Sequence, residues 1–317
     1  MGSVTLAESA KLSQDLLVAG IIENVVTVDR MYELLTFDEV DGNALAYNRE
    51  NALGNAVVTQ VGDLIASDGA NPIDSSSDGT APATFTQVTS SLTTIVGDAF
   101  VNGLIQESRS NVQDQTVAQV ASKSKTVGRI FRHMFINGTG SSGQFTGLSG
   151  LVAATQHVAT GTNGGPLSFA FLDEGIDLVK DKDGEVDYIL MHSRTHRSYL
   201  ALLRGLGGAA INEVATLPSG AEVSAYRKIP IFVNDNIPTN VTKGGSSNTA
   251  SVYFGTLDDG SRSMGIAGLS VMGAAGIRVV PVGESESRDE TITRVKWYCG
   301  LANFSQLGLA EADGITN

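Results

Sequence analysis

A chain of 317 residues can bury a sizeable core and has room for about two domains, and its 42% hydrophobic and 17% charged residues exclude a disordered polymer. A net charge of −13 excludes the basic footprint of a protein that grips nucleic acid tightly through phosphates. One cysteine, Cys299, excludes an internal disulfide, no spaced Cys/His set reads as structural zinc, and neither a secretion leader nor a run of about 18 apolar residues is present, so no membrane partner is expected.

In chain order, residues 7–18 can form a short amphipathic helix with Leu12, Leu16 and Leu17 on one side, and residues 21–35 carry a second apolar cluster. The segment 1–40 reads either as an arm that packs on a neighbour or as a helix docked on its own core. Residues 41–100 differ in character. Strand-like pieces at 44–49 and 56–61 lead into a Gly/Ser/Asp/Pro-rich stretch at 69–83, and residues 84–100 return in strand formers. This is the pattern of a long two-stranded excursion with an irregular tip. An isolated hairpin is marginal in water, so it needs a surface to lie on. From Asp38 to Asp98 there are nine acidic residues against one basic residue, Arg49, which puts most of the excess negative charge here.

Val112, Val117, Val120, Ala121, Val127, Ile130, Phe131 and Met134 then recur at 3-and-4 spacing, predicting one long helix over 107–137, about 45 Å at roughly 1.5 Å per residue. Asn137-Gly138-Thr139-Gly140-Ser141-Ser142-Gly143 ends it, with a glycine past the last turn expected in the left-handed cap conformation. Beyond the glycine-rich exit the spacing predicts a helix over 167–182, a buried strand over 187–192 and a helix over 193–204 capped by Ser193. Strand candidates follow at 229–233 and 252–254, loops at 205–210 and 243–249, and strand-rich stretches at 266–282 and 291–306 flank a charged hairpin at 283–290. The tail from Ala310 reads as short and polar. Alternation of helices and strands gives an α+β class.

Several patterns suggest catalysis, and each lacks its context. Gly138, Gly140 and Gly143 have the GxGxxG spacing but follow a helix instead of a strand, with no acidic residue about 20 positions on to hold a ribose, so they read as a turn. His192 and His196 are four apart, yet Ser193 stands where the HExxH motif has its glutamate, and no third ligand is evident. Asp181, Asp183 and Glu185 lack the 12-residue spacing of a calcium loop. Ser149 lacks the flanking glycines of a nucleophile elbow, and Cys299 lies in an apolar strand without a nearby histidine. No catalytic, metal-binding or cofactor-binding residue is assigned.

The order of the pieces resembles the major capsid protein of tailed double-stranded DNA bacteriophages, the Hong Kong 97 fold that is shared with encapsulin shells. The resemblance is carried by Tyr47-Asn48-Arg49-Glu50 opening the excursion, Phe85 to Ile95 returning from it, and Phe135-Ile136-Asn137-Gly138-Thr139-Gly140 followed by Gln144-Phe145-Thr146-Gly147-Leu148. Further on it rests on residues 187–194 (DYILMHSR), 227–235 (RKIPIFVND) and 252–255 (VYFG). It spans about residues 35–310.

The resemblance implies an N-terminal arm (1–40), an extended β-hairpin loop (41–100), a peripheral domain (101–149) with a spine helix at 107–137, an axial domain (150–265) and C-terminal strands (266–317) returning to the peripheral domain. It implies a noncatalytic subunit that assembles with itself into hexamers and pentamers of an icosahedral virion head, built in the host cytoplasm. Tyr47, Arg49, Glu50, Phe85, Arg109, Arg129 and Arg132 are the expected intersubunit residues. Further partners would be a portal, packaged double-stranded DNA in weak nonspecific contact with inward-facing Arg129 and Arg132, and a cement protein. Two departures matter. No lysine lies between Lys11 and Lys123, so the lysine-to-asparagine crosslink of some members is not expected and the shell is noncovalent. The chain also lacks the long coiled-coil N-terminal segment of some members, which implies a separate scaffolding protein. An encapsulin-like compartment is the first alternative, and an α+β hydrolase the alternative from another class.

Overall fold

The structure, a computed structural model, describes residue 31 and residues 34–73, 75–109, 114–180, 184–205, 214–273 and 276–316. Most of the expected arm lies outside these residues. The chain forms two compact units, one of residues 44–90 and one of the remainder.

The larger unit is built on two sheets. In the first, β13 (Glu290–Asn303) is the hub: β4 (Thr93–Asn102) runs antiparallel along one side, while β12 (Arg278–Glu284) and then β11 (Ile266–Val271) share the other. β1 (Phe37–Val40) closes that edge in parallel with β11. Along β13 the side chains alternate, so Thr293, Val295 and Cys299 are buried on one face while Arg294, Lys296 and Tyr298 point the other way.

The buried face is covered by a helix. The expected 107–137 helix is in fact two elements, α1 (Gly103–Arg109) and α2 (Gln115–Asn137). Asp114 is the reason for the late start of α2: its backbone is extended, and its carboxylate accepts hydrogen bonds from the Thr116 and Val117 amides at 2.8 and 3.3 Å. Only the later part of the expected apolar stripe is buried, at Val127, Phe131 and Met134, joined by Phe135, whereas Val117, Ala121 and Ile130 are exposed because the covered face runs through Ala118, Val127 and Phe131; the Phe131 ring lies 4.5 Å from Trp297 and 5.7 Å from Phe145.

The end of α2 corrects one expectation. Gly138 has φ −59°, so it is not a left-handed cap; the left-handed glycines are Gly140 and Gly143 in the turn beyond. Close crossing of backbones is what requires glycine here. A Cβ at Gly138 would lie 2.2 Å from the Phe145 carbonyl oxygen, and one at Gly147 would lie 2.5 Å from that of Met134. The short helix α3 (Leu148–Leu151) follows, with the Ser149 hydroxyl donating to the Ile136 carbonyl at 2.9 Å.

The second sheet runs β14–β10–β5–β8–β7–β6: Leu309–Ile315, Ser246–Gly255, Tyr188–Met191, Ile229–Val233, Glu222–Tyr226 and Val214–Thr216, with β9 (Val241–Lys243) pairing β10 as a hairpin. β5 is buried on both faces. Tyr188 and Leu190 join Phe135, Ile136 and Phe145 in one core, while Ile189 and Met191 join Val252 and Phe254 under helices α4 (Phe169–Lys180) and α5 (Ser193–Gly205). The end of the spine helix is thereby packed between both sheets. Two further expectations change. Residues 243–249 are a β-hairpin and not a loop, and the tail from Ala310 is a buried strand. Residues 266–317 therefore divide between the sheets, with β14 on β10 and on the 156–165 loop, whose backbone bonds to Glu311 and Gly314.

The smaller unit is a two-stranded sheet, β2 (Ala44–Ala52) with β3 (Thr84–Ser91), joined by a long tip. The tip is held by polar contacts: the Asn55 amide reaches Ser76 and the Asp78 carbonyl, Asn71 donates to Asn55 at 2.6 Å, and Val58 bridges Ala70.

Candidate functional site

Among its described residues the hairpin unit buries no hydrophobic side chain. Leu53, Val58, Val61, Leu64, Ile65, Ile73 and Phe85 are all exposed, Leu53 at 79% and Ile73 at 92%. Scattered exposed apolar residues are ordinary, but a whole unit with no core of its own is not. Carboxylates are interleaved with these side chains. Asp63, Asp68 and Asp78 accept from the Gln60, Leu64 and Thr80 amides at 2.7, 3.0 and 2.8 Å; the Leu64 amide holds the Asp68 carboxyl below the ordinary range, and the Thr80 hydroxyl, at 2.6 Å, together with the Thr80 amide does the same for Asp78. Tyr47 and Arg49 share one face of β2, the guanidinium carbon 5.9 Å from the ring centroid, while Glu50 points to the opposite, exposed face. Phe85 stands exposed on β3.

The remaining expected residues lie elsewhere. Arg109 ends α1, and its side chain is outside the described set. Arg129 and Arg132 rim a cleft of about 270 Å³ together with Lys125; its floor is Phe37, Phe131 and Trp297. Gly268 makes room for that floor, because a Cβ there would lie 2.6 Å from the Phe37 ring.

Sequence reasoning missed a third surface, the face of the first sheet that no helix or strand among the described residues covers. Thr94, Val96, Asp98 and Phe100 of β4 and Arg294, Lys296 and Tyr298 of β13 surround a shallow depression of about 540 Å³. Arg294 donates to both Asp98 oxygens, at 2.7 and 2.9 Å, and its guanidinium keeps the Asp98 carboxyl below the usual range. The Lys296 ammonium lies 5.5 Å from the Tyr298 ring centroid. The signal that could have found this face is the period-2 alternation of Arg294, Lys296 and Tyr298 with Thr293, Val295 and Trp297.

The patterns that suggested chemistry are occupied by local structure. Gly138, Gly140 and Gly143 shape the turn closed by the Thr139–Thr146 bridge. His192 uses Nδ1 to accept from the Arg194 amide at 2.9 Å, so it caps α5 in place of Ser193, and its Nε2 lies 3.6 Å from Asp235. His196 Nε2 is 3.3 Å from the Ser224 hydroxyl. Burial lowers both imidazole pKa values, which keeps the rings neutral at pH 7. Cys299 is buried, and desolvation pushes its thiol up to about 12, the opposite of an activated nucleophile. Among the described residues no group of three His, Cys, Asp or Glu side chains could hold a metal ion, and no helix is long and apolar enough to cross a membrane. Residues 181–183 of the calcium-like fragment lie outside the described set.

No family model and no curated protein matches the sequence. Solved structures match along the whole chain. An encapsulin from Synechococcus elongatus, solved as the holo-SrpI complex, is similar with a TM-score of 0.70 at 16% identity, covering 99% of this chain and 96% of that one. The capsid of a native GTA particle gives 0.65 at 13% identity with full coverage of both chains. The capsid of Myoviridae phage XM1 gives 0.61 at 12% identity, over 99% and 100%. The chain has the α+β Hong Kong 97-like capsid fold.

Proposed function

We propose that this chain is the major capsid protein of a tailed phage, a noncatalytic subunit that assembles with itself into the hexamers and pentamers of an icosahedral head enclosing double-stranded DNA. The observation that carries the reading is the hairpin unit of residues 44–90, which has a shell-protein context in the fold and exposes its large apolar side chains without a core of its own. Such a unit gains burial only on another molecule, and repeating one contact around a closed ring satisfies every copy. The 44–90 hairpin is the intersubunit arm of this assembly, lying across a neighbour; it is shorter than the expected 41–100 span because β4 (Thr93–Asn102) belongs to the first sheet. Tyr47, Arg49, Glu50 and Phe85 are its contact residues. With no lysine between Lys11 and Lys123, the contact is noncovalent.

Spine-helix residues Arg129 and Arg132, with Lys125, supply a local basic cluster in an acidic protein, suited to weak contact with packaged DNA within a screening length of about 8 to 10 Å. A separate scaffolding protein, a portal and a cement protein complete the set of partners, and assembly takes place in the host cytoplasm before the subunit resides in the virion. The encapsulin match favours one second reading, a nanocompartment shell without a genome.

Negative-stain electron microscopy and size-exclusion chromatography of the recombinant protein test this. Closed shells, tubes or isolated hexamers are expected, and shell diameter separates a phage head from a small compartment. A monodisperse monomer or dimer that persists with crowding agent and scaffold candidates refutes the proposal.

A further inference from the structure

We infer that the cleft between α2 and the first sheet is a binding site for a free small aromatic carboxylate. The cleft belongs to the larger unit alone, so the inference goes beyond the shell reading and does not depend on it.

Three features of the cleft define its ligand. The floor is aromatic: Phe37 of β1, Phe131 of α2 and Trp297 of β13 have ring centroids 4.5 to 6.0 Å apart in tilted pairs, and Ile277 adds an aliphatic wall. Phe37 and Ile277 are 38% and 42% exposed, so part of this apolar surface faces solvent. The rim is cationic. Lys125, Arg129 and Arg132 stand at i, i+4 and i+7 and share one face of α2. In a protein of net charge −13, Arg129 meets no carboxylate among the described residues. A guanidinium fork takes a carboxylate through two parallel N–H donors, which suits an acid head at the rim above an apolar body on the floor.

The third feature is Gly128, which lies inside α2 on that same face. Glycine weakens a helix interior, and no neighbour demands it here, because a Cβ at Gly128 would meet nothing within 4 Å. Its missing side chain keeps the cleft open. The volume of about 270 Å³ is the share of about nine liquid waters at roughly 30 Å³ each, room for one ring and a short chain. A straight aliphatic acid would fit the same space, but a floor of three rings favours an aromatic partner through offset and edge-to-face contacts.

Trp297 is the single tryptophan of the chain, so its emission reports this cleft alone. The probe is 4-phenylbutyrate, which has one ring, a short chain and one carboxylate and does not absorb where tryptophan is selectively excited. Titrated into the intact chain, it should shift the Trp297 emission to the blue as water leaves the floor, saturably, with a dissociation constant on the order of 0.1 mM that calorimetry reproduces. Removing the charge, as in 4-phenylbutanamide or in Arg129→Gln, should weaken binding about tenfold, a difference that shrinks in high salt. Octanoate, without a ring, should bind more weakly than the probe. Gly128→Leu should fill the cleft and abolish the titration, with a urea midpoint at or above that of the wild type.

A response that never saturates overturns the inference, as does no response at all, whether a second copy or the chain's own residues 1–30 fill the cleft. An amide that binds as tightly as the acid reduces the site to an apolar groove, and octanoate that binds more tightly assigns it to fatty acids; either result overturns the inference. Saturable binding that survives Gly128→Leu places the probe elsewhere and overturns it as well. None of these readouts needs assembled particles, so they stand or fall separately from the shell reading.

Discussion

Replacing Val61, Leu64 and Ile73 by serine separates the cost of folding from the cost of assembly. In the free protomer these side chains are 107%, 66% and 92% exposed, so the substitutions act on residues already in water, and each is expected to change protomer stability by no more than about 0.5 kcal/mol. In the proposed shell the same side chains lie against a neighbour. Full burial of a Val, Leu or Ile side chain contributes about 1.5 to 3 kcal/mol, so half-burial of three contributes roughly 3 kcal/mol per intersubunit contact. At 1.4 kcal/mol per factor of ten, each contact weakens about a hundredfold. The assay is the threshold concentration for particle formation, read by static light scattering and checked by electron microscopy, beside urea unfolding of the protomer. The triple variant should unfold like the wild type and fail to assemble at concentrations well above the wild-type threshold. A threshold that stays within about threefold of wild type, in a protomer that still folds, refutes the argument that the hairpin is an intersubunit arm.

Two glycines of the spine region should respond in opposite directions. Gly147→Ala places a Cβ among backbone atoms of Met134, Ile136 and Gly138 and should cost about 1 to 3 kcal/mol, whereas Gly128→Ala, with nothing within 4 Å of its new Cβ, should gain about 1 kcal/mol from helix propensity; urea midpoints that move the same way refute this account. Glu311 is buried, and desolvation raises its pKa despite hydrogen bonds from Ser251 and Tyr253 and the nearby His157. The folded state therefore keeps this proton to higher pH than the unfolded chain, with its ordinary value of 4.5, and stability falls as pH rises above that value until the folded pKa is passed. Glu311→Gln should show a flatter profile, gaining on the wild type between pH 4.5 and neutrality; parallel melting-temperature curves over that interval would contradict the assignment.

The parts of the fold legible in the sequence were those with strong periodicity. The later part of the α2 stripe (Val127, Phe131, Met134), the doubly buried β5 and the two-stranded excursion follow from spacing and composition, while Val117, Ala121 and Ile130 keep the helical rhythm and yet are exposed. The α2 start was misplaced because Val112 and Val117 continue the helical rhythm backwards, while the Asp114 cap, which was readable as such, competes locally for the amides. β14 looked like a polar tail because Glu311 and Asp313 dominate its composition. Its small partners Ala310 and Ala312 are buried only because β10 and the 156–165 loop arrive from far away in the chain. Of the expected contact residues, Tyr47, Arg49, Glu50 and Phe85 fall on one hairpin, and Arg129 and Arg132 on one cleft. The basic sheet face stayed hidden because Arg278 and Lys296 come together only through strand register.

That register also sets a clock. β4 ends at Asn102, and the strand that satisfies its backbone begins at Glu290, so about 190 residues must be synthesised between them. At roughly 5 to 20 residues per second, the β4 edge waits roughly 10 to 40 s for its partner. During that interval Ile95, Val96, Phe100 and Val101 lie on a strand with unpaired amides and carbonyls, beside a hairpin with its own exposed aliphatic residues. Crowded polysomes making this subunit would hold many such edges at once. The nascent chain is thus exposed to premature strand pairing between copies, and lower temperature or chaperone occupancy during synthesis should govern how much of it reaches the assembling pool.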